Sequence, residues 1–151
     1  ALPEGRPAGI WAFDAHRIAS GVPRIFVDTD ARTIPNEIGL FGTHLDKGCY
    51  RGQETVARVH NLGRPPRRLT LLHLDGTAEA LPAAGSALEV GGRAVGFAGS
   101  SARHHELGPI ALALVKRAVP TDATLTVDGI AAAQETLVDP EVGLHFRANL
   151  R

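Results

Sequence analysis

The sequence contains no methionine, and cysteine, tyrosine and tryptophan occur once each in 151 residues. A single cysteine excludes a disulfide within the chain and is typical of a reducing compartment, so we expect a cytoplasmic protein. It also excludes an iron–sulfur cluster held by this chain alone, because such a cluster needs about four ligands. Aromatic residues make up only 5% of the chain, too few for a base-stacking platform, so direct RNA binding is not expected.

Long apolar runs are missing as well. None approaches the roughly 18 residues that span a membrane, so we expect no membrane partner. The chain also lacks a phosphate-binding loop and a dinucleotide-binding fingerprint. What it does contain is 44% hydrophobic residues and equal numbers (16 each) of basic and acidic residues. This composition is typical of a globular chain forming one ordinary domain or two small ones.

The first part of the chain predicts helices more than strands. Residues 10–19 have apolar side chains near helical spacing, and a glycine and a proline follow them. Residues 33–37 predict a short helical turn that tolerates its proline near the start, and residues 54–59 predict a second helix. Residues 24–27 are a short strand candidate. We therefore predict a partial α+β piece over residues 1–64.

The pattern changes after Pro65-Pro66. Short apolar runs follow, separated by two-residue turn signals at Gly91-Gly92 and Asp128-Gly129, which are typical of β-hairpins. The strand candidates are residues 68–74, 87–90, 93–97, 110–115, 125–127 and 130–133. Short strands with regularly spaced turns indicate an antiparallel barrel or sandwich. The predicted fold class is α+β, with a Greek-key-like antiparallel β-barrel over residues 65–151.

One octapeptide, KGCYRGQE at residues 47–54, contains the only cysteine and the only tyrosine, together with one of two lysines. Cys49 precedes a predicted helix and follows Lys47 by two residues, and both features favour the thiolate. The alternatives are a lone cysteine that acts as a small buried apolar residue and an ordinary surface lysine.

The octapeptide lies at the start of a basic stretch. Between residues 47 and 68 there are six basic residues and one acidic residue, Glu54. The basic residues are Lys47, Arg51, Arg58, Arg64, Arg67 and Arg68. Such a stretch indicates an anionic partner or, equally, a solvated surface.

The octapeptide resembles the signature of the YgfZ-type folate-binding proteins, which are relatives of the glycine-cleavage T-protein. Residues 17–23, 34–37 and 108–115 resemble this family in type and order. The resemblance implies a longer parent with three substructures around a central funnel. We therefore expect this chain, whose first residue is not methionine, to be the C-terminal part of the parent. The N-terminal half of the same parent is then its partner, and the chain alone should bind folate weakly.

The function implied by the resemblance is a tetrahydrofolate-binding accessory protein of iron–sulfur cluster biogenesis or repair. Its partners would be iron–sulfur proteins or cluster-assembly factors, with an indirect effect on tRNA modification. The alternative is a tetrahydrofolate-dependent aminomethyltransferase like the T-protein.

The resemblance also implies site residues. Cys49 would be the redox or sulfur-handling group, assisted by Lys47. Arginine forms bidentate hydrogen bonds with carboxylates, so Arg68 is predicted to bind the glutamate tail of folate, in preference to Arg67. Glu54 is predicted to contact the pterin, or else to stabilise the first turn of its helix. The complete predicted folate-binding set is Tyr50, Gln53, Glu54, Arg68, Glu37 and Asp28.

No permanently bound metal is expected. The run His104-His105-Glu106 lacks the i, i+4 spacing of a helical metal motif, and we interpret it as a polar loop.

Overall fold

The computed structural model describes residues 8–40, 48–62 and 64–139. Two α-helices, α1 (Ile10–Ala19) and α2 (Gln53–Leu62), and a 3₁₀ helix (Pro35–Ile38) precede the strands. The strands are β1 (Arg67–Leu74), β2 (Ala87–Val90), β3 (Arg93–His104), β4 (Gly108–Lys116), β5 (Leu125–Val127) and β6 (Ile130–Thr136). The predicted class, α+β with a C-terminal barrel, is confirmed. No helix among the described residues is long and apolar enough to cross a membrane.

The six strands close into a barrel in the order β1-β4-β3-β2-β5-β6, and each pair of neighbours is antiparallel. β1 closes it, because it pairs with β4 on one side and with β6 on the other. Both predicted hairpins are present, as β2–β3 and β5–β6. Their turns carry positive φ angles at Gly91, Gly92, Asp128 and Gly129, as two-residue hairpin turns of this kind require.

Strand β4 explains why residues 110–115 form an unbroken apolar run. Successive side chains of a strand point to opposite faces, and here both faces are buried. Ala111, Ala113 and Val115 belong to one cluster with residues of all six strands. Ile110, Leu112 and Leu114 belong to a second cluster that includes Ile18 of α1. α1 therefore packs on the outside of the barrel, over β3 and β4.

The strand predicted at residues 24–27 is wrong, because residues 25–28 form a turn in which Phe26 has φ 63°. Local side chains satisfy the backbone of this segment. The Asp28 carboxylate accepts from the N–H of Arg24 at 2.7 Å, and the Thr29 hydroxyl accepts from the N–H of Phe26 at 3.0 Å. Side-chain-to-backbone bonds of this kind compete with sheet pairing, and here they outweigh the β propensity of Ile25 and Val27.

β3 is longer than predicted and bends where the register shifts between Ala98 and Ser101. Gly99 lies at this bend because the turn ending at Asp28 crosses it closely. A Cβ at position 99 would lie 2.7 Å from the Cα of Asp28 and nearer still to its carboxylate. Only glycine admits so close a backbone approach.

Candidate functional site

The motif residues described by the structure, 48–54, lead directly into α2. Gly52 has φ 83°, a left-handed conformation that glycine adopts without strain. The N–H of Gln53 donates to the Tyr50 carbonyl at 3.2 Å, and the N–H of Val56 donates to the Gly52 carbonyl at 3.2 Å. Cys49 is a free, exposed cysteine immediately before this turn. It is therefore not a core residue, whereas Lys47 lies outside the described residues.

A cleft of about 560 Å³ lies between the start of α2 and the segment before the 3₁₀ helix. Among the described residues, its lining combines two arginines, one phenol and two threonine hydroxyls with aliphatic side chains, and includes no carboxylate. The lining residues are Ala31, Arg32, Thr33, Ile34, Pro35, Tyr50, Arg51, Gly52, Thr55 and Val56. A neighbouring cavity of about 580 Å³ shares five of these residues with it, Arg51 among them, and is also lined by Asp30. This lining suits an anionic ligand that also has an apolar or aromatic part.

The hydroxyl of Tyr50 is buried, and within the described residues it has no hydrogen-bond partner. Buried hydroxyl groups are nearly always hydrogen-bonded, and an exception calls for an explanation. Since Tyr50 lines the cleft, a ligand bound there offers a partner for this hydroxyl.

One wall of the cleft is fixed by Arg67, the first residue of β1. Its Nε and Nη2 donate to the two carboxylate oxygens of Glu37, both at 2.9 Å. Its Nη1 and Nη2 donate to the two oxygens of Asp30, at 2.7 and 3.0 Å. Glu37 is 0% exposed and also accepts from the N–H of Ile34 at 3.1 Å. The predicted site residue Glu37 thus holds residues 30–37 against the barrel.

The opposite charges of Arg67 and of its partners Asp30 and Glu37 attract one another. Hydrogen bonds from Arg67 hold the pKa of Asp30 well below its usual range, although partial burial opposes the shift. Hydrogen bonds to Glu37 and then to Asp30 raise the pKa of Arg67 above its ordinary value. Arg67 and Asp30 therefore each favour the charged form of the other.

Arg68 lies away from the cleft. It is 1% exposed, and its guanidinium donates to the carbonyls of Lys116, Arg117 and Val119 and to the side-chain oxygen of Gln134, at 3.0–3.3 Å. Burial lowers the pKa of Arg68 below its ordinary value, and the neighbouring Arg117 lowers it further. In this structure Arg68 joins β1 to the segment after β4, and its predicted contact with folate stays a prediction.

Asp28 also lies apart from the motif. Its carboxylate is 0% exposed and is enclosed by Arg17, the N–H of Arg24 and both the N–H and the hydroxyl of Ser100. Gln53 and Glu54 form the first turn of α2, Gln53 half-buried and Glu54 exposed. Neither is among the described residues that line the cleft.

Of the predicted folate-binding set, the structure thus places only Tyr50 in the wall of the cleft and Glu37 in its support. Sequence reasoning missed Arg32 and Arg51 as lining residues and Asp30 as a partner of Arg67. Arg51 lies inside the motif, and this position in the sequence could have identified it as a lining residue of the cleft. Arg32 and Asp30 carried no comparable signal.

Comparison with known proteins gives relatives that are named as tRNA-modifying proteins, as an iron–sulfur cluster assembly factor and as a putative transferase. The tRNA-modifying protein YgfZ of Aliivibrio fischeri is 40% identical over 83 residues, which are 53% of this chain and 25% of that protein. The protein of the same name from Edwardsiella ictaluri is 34% identical over 127 residues, 80% of this chain and 38% of that protein. The human mitochondrial iron–sulfur cluster assembly factor IBA57 is 38% identical over 72 residues, 45% of this chain and 20% of that protein.

No protein-family model matches the chain. The chain spans between a fifth and two fifths of the length of these three relatives. These matches confirm the resemblance carried by the motif: over the stretch that they cover, the chain is similar to YgfZ-type proteins.

Proposed function

We propose that the chain belongs to a tetrahydrofolate-binding accessory protein of iron–sulfur cluster assembly or repair, which affects tRNA modification through cluster-containing enzymes. The relatives named for tRNA modification and for iron–sulfur cluster assembly support this role. Its proposed partners are folate, iron–sulfur proteins or cluster-assembly factors, and the remaining part of the parent chain.

The observation that carries the proposal is the cleft beside the motif. Folate combines an aromatic pterin with one or more glutamate carboxylates. The cleft offers Arg32 and Arg51 to carboxylates, aliphatic walls to an aromatic ring, and the Tyr50 hydroxyl, which has no partner among the described residues, as a hydrogen-bonding group. Charge-assisted hydrogen bonds from arginine are the strongest of these interactions. Arg51, which lines the cleft, is therefore better placed for the glutamate tail than Arg68, which does not.

We further propose that Cys49 is the redox or sulfur-handling group. Its side chain is exposed, and it adjoins Tyr50 of the cleft in the chain. It precedes α2, whose first backbone N–H groups are a favourable environment for a thiolate. Lys47, two residues earlier, keeps its proposed assisting role.

The cysteine proposal predicts rapid alkylation of the folded protein. Because Cys49 is exposed, iodoacetamide should modify it completely without denaturant, and Lys47→Ala should slow the reaction at neutral pH. Mass spectrometry at timed intervals measures the rate, and Arg93→Ala, a change at a distant exposed residue, is the control. A thiol that reacts only after unfolding, or an unchanged rate in Lys47→Ala, contradicts the assigned roles.

The cleft proposal predicts that binding grows with the length of the glutamate tail. Tetrahydrofolate with three glutamates should bind more tightly than the monoglutamate, and Arg51→Ala should weaken the longer ligand by about 1.5–3 kcal/mol, or roughly 10- to 100-fold. Amide chemical shifts measure this at millimolar ligand, and they should move at residues 31–35 and 50–56.

Arg93→Ala again serves as the control, because Arg93 is exposed at the start of β3 and does not line the cleft. Absence of any shift at millimolar ligand would contradict folate binding by this chain. Arg68→Ala tests the earlier expectation, which holds only if affinity falls while the free energy of unfolding is unchanged.

A further inference from the structure

Three histidines meet where α1 crosses the turn between β3 and β4. His16 lies on α1, His104 is the last residue of β3, and His105 begins the turn. The ring centroids lie 5.2 Å apart for His16 and His104, 5.5 Å for His16 and His105, and 4.5 Å for His104 and His105. One ring nitrogen from each residue lies within 4.8 Å of the other two.

We propose that His16, His104 and His105 form a binding site for a divalent transition-metal ion that prefers imidazole ligands, such as Zn²⁺. Imidazole nitrogen suits zinc, copper and nickel, whereas Mg²⁺ and Ca²⁺ prefer oxygen ligands. Three protein ligands leave a fourth tetrahedral position for water. The site is separate from the motif and the cleft.

The spacing of the nitrogens requires a modest closure of the site. Zinc–nitrogen bonds of about 2.1 Å in tetrahedral geometry place the ligand nitrogens about 3.4 Å apart, against separations of up to 4.8 Å here. His16 and His105 are exposed, so their rings can rotate inward without disturbing the core. His104 is only 8% exposed and stays in place.

Polar contacts involve two of the three histidines. The carboxylate of Glu106 lies 3.7 Å from Nε2 of His105, and a carboxylate beside a metal-bound histidine orients the ring and makes it a better ligand. Nδ1 of His104 accepts from the N–H groups of Glu106 and Leu107, both at 3.2 Å, so the neutral ring carries its proton on Nε2.

The tautomer of His104 gives the site a diagnostic feature. Coordination through Nε2 requires the proton to move to Nδ1, where it faces two N–H donors. Coordination through Nδ1 requires those two donors to turn away. Either route rearranges residues 105–107, so the amide signals of Glu106 and Leu107 should move when metal binds.

Metal binding also has a consequence for stability. His16 belongs to the helix outside the barrel, and His104 and His105 belong to the barrel itself. An ion held by all three links α1 to the β3–β4 turn, and a ligand that binds only the folded state stabilises it by mass action. The melting temperature should therefore rise with the zinc concentration.

The test uses the chain without an affinity tag, freed of metal by a chelator, in a Cys49→Ser background that removes the only thiol. Zn²⁺ is titrated in competition with a chromogenic chelator. We expect one ion per chain, and affinity about 10- to 100-fold weaker in His16→Ala or His105→Ala, at least the cost of losing an outer-shell partner of a metal site. His73→Ala, which removes a histidine bonded to Glu135 on another face, should bind as before.

Because His16 and His105 are exposed, they can be replaced without unfolding the chain, and the site can be tested even if a change at the buried His104 unfolds it. The amide shifts of Glu106 and Leu107 and the zinc-dependent rise in melting temperature should both vanish in the double variant His16→Ala/His105→Ala. The proposal is overturned if this double variant binds zinc as the parent does. It is equally overturned if zinc shifts other amides and leaves these two unmoved, or if no ion binds at millimolar zinc.

Discussion

Replacing Arg67 with methionine should lower the free energy of unfolding by about 3–5 kcal/mol, the typical cost of removing one partner of a buried ion pair. Glu37 is 0% exposed, and Arg67 is the one cation that the described residues bring to its carboxylate. Methionine matches the apolar stem of arginine but leaves this carboxylate uncompensated. Urea denaturation followed by circular dichroism measures the change.

Arg67→Lys separates charge from geometry. Lysine keeps the positive charge but not the planar fork that serves Asp30 and Glu37 together, so we expect an intermediate loss. Arg93→Met, a change at an exposed arginine of β3, should stay within about 0.5 kcal/mol of the wild type. A loss in Arg67→Met no larger than in Arg93→Met would show that the network contributes little.

The pH dependence of the stability of wild type and Arg67→Met follows from the direction of the Asp30 pKa shift. The pKa of Asp30 is held below its usual range by Arg67, so its contribution is present above the ordinary carboxyl range and disappears as pH falls through the native value. The difference between wild type and Arg67→Met should therefore stay constant near neutral pH and shrink as pH falls below about 5.

The barrel was predictable because the sequence features that define its strands and turns are local. Turn residues and alternating apolar positions identified each strand, and the continuous apolar run at 110–115 indicated a buried strand, as β4 is. The strand predicted at residues 24–27 failed because Asp28 and Thr29 bind the backbone of that segment, and propensity does not include such bonds.

The site was less predictable because it depends on distant contacts and on which way side chains point. Arg67 and Arg68 are neighbours in β1, so they point to opposite faces. Arg68 lies on the face of Leu72, inside the barrel, and Arg67 on the face of Leu69 and Leu71. The sequence does not say which face meets residues 30–37. His16 likewise meets His104 only because α1 packs over β3.

Asp28→Ala should cost about 3 kcal/mol, at the lower end of the range for a broken buried ion pair. Arg17, itself buried, would lose the Asp28 oxygen at 3.2 Å but keep Asp14 at 3.1 Å and the Val22 carbonyl at 2.6 Å. The N–H groups of Arg24 and Ser100 would lose their acceptor, and each unsatisfied buried donor adds to the cost.

Asp28 was predicted to contact folate, and comparison of Asp28→Ala with Asp28→Asn distinguishes a ligand contact from a structural role. The carboxylate joins α1, the turn at residues 25–28 and β3, and Gly99 leaves the space that it fills. Asp28→Asn removes the charge and presents a donor to Arg17, but it keeps the shape and one oxygen acceptor, so it should destabilise the fold less than alanine does. Asp122→Ala, at an exposed aspartate, is the matched control. If Asp28→Asn instead leaves the free energy of unfolding unchanged and lowers folate affinity, Asp28 is a ligand contact and the enclosed carboxylate is not what holds α1 on the barrel.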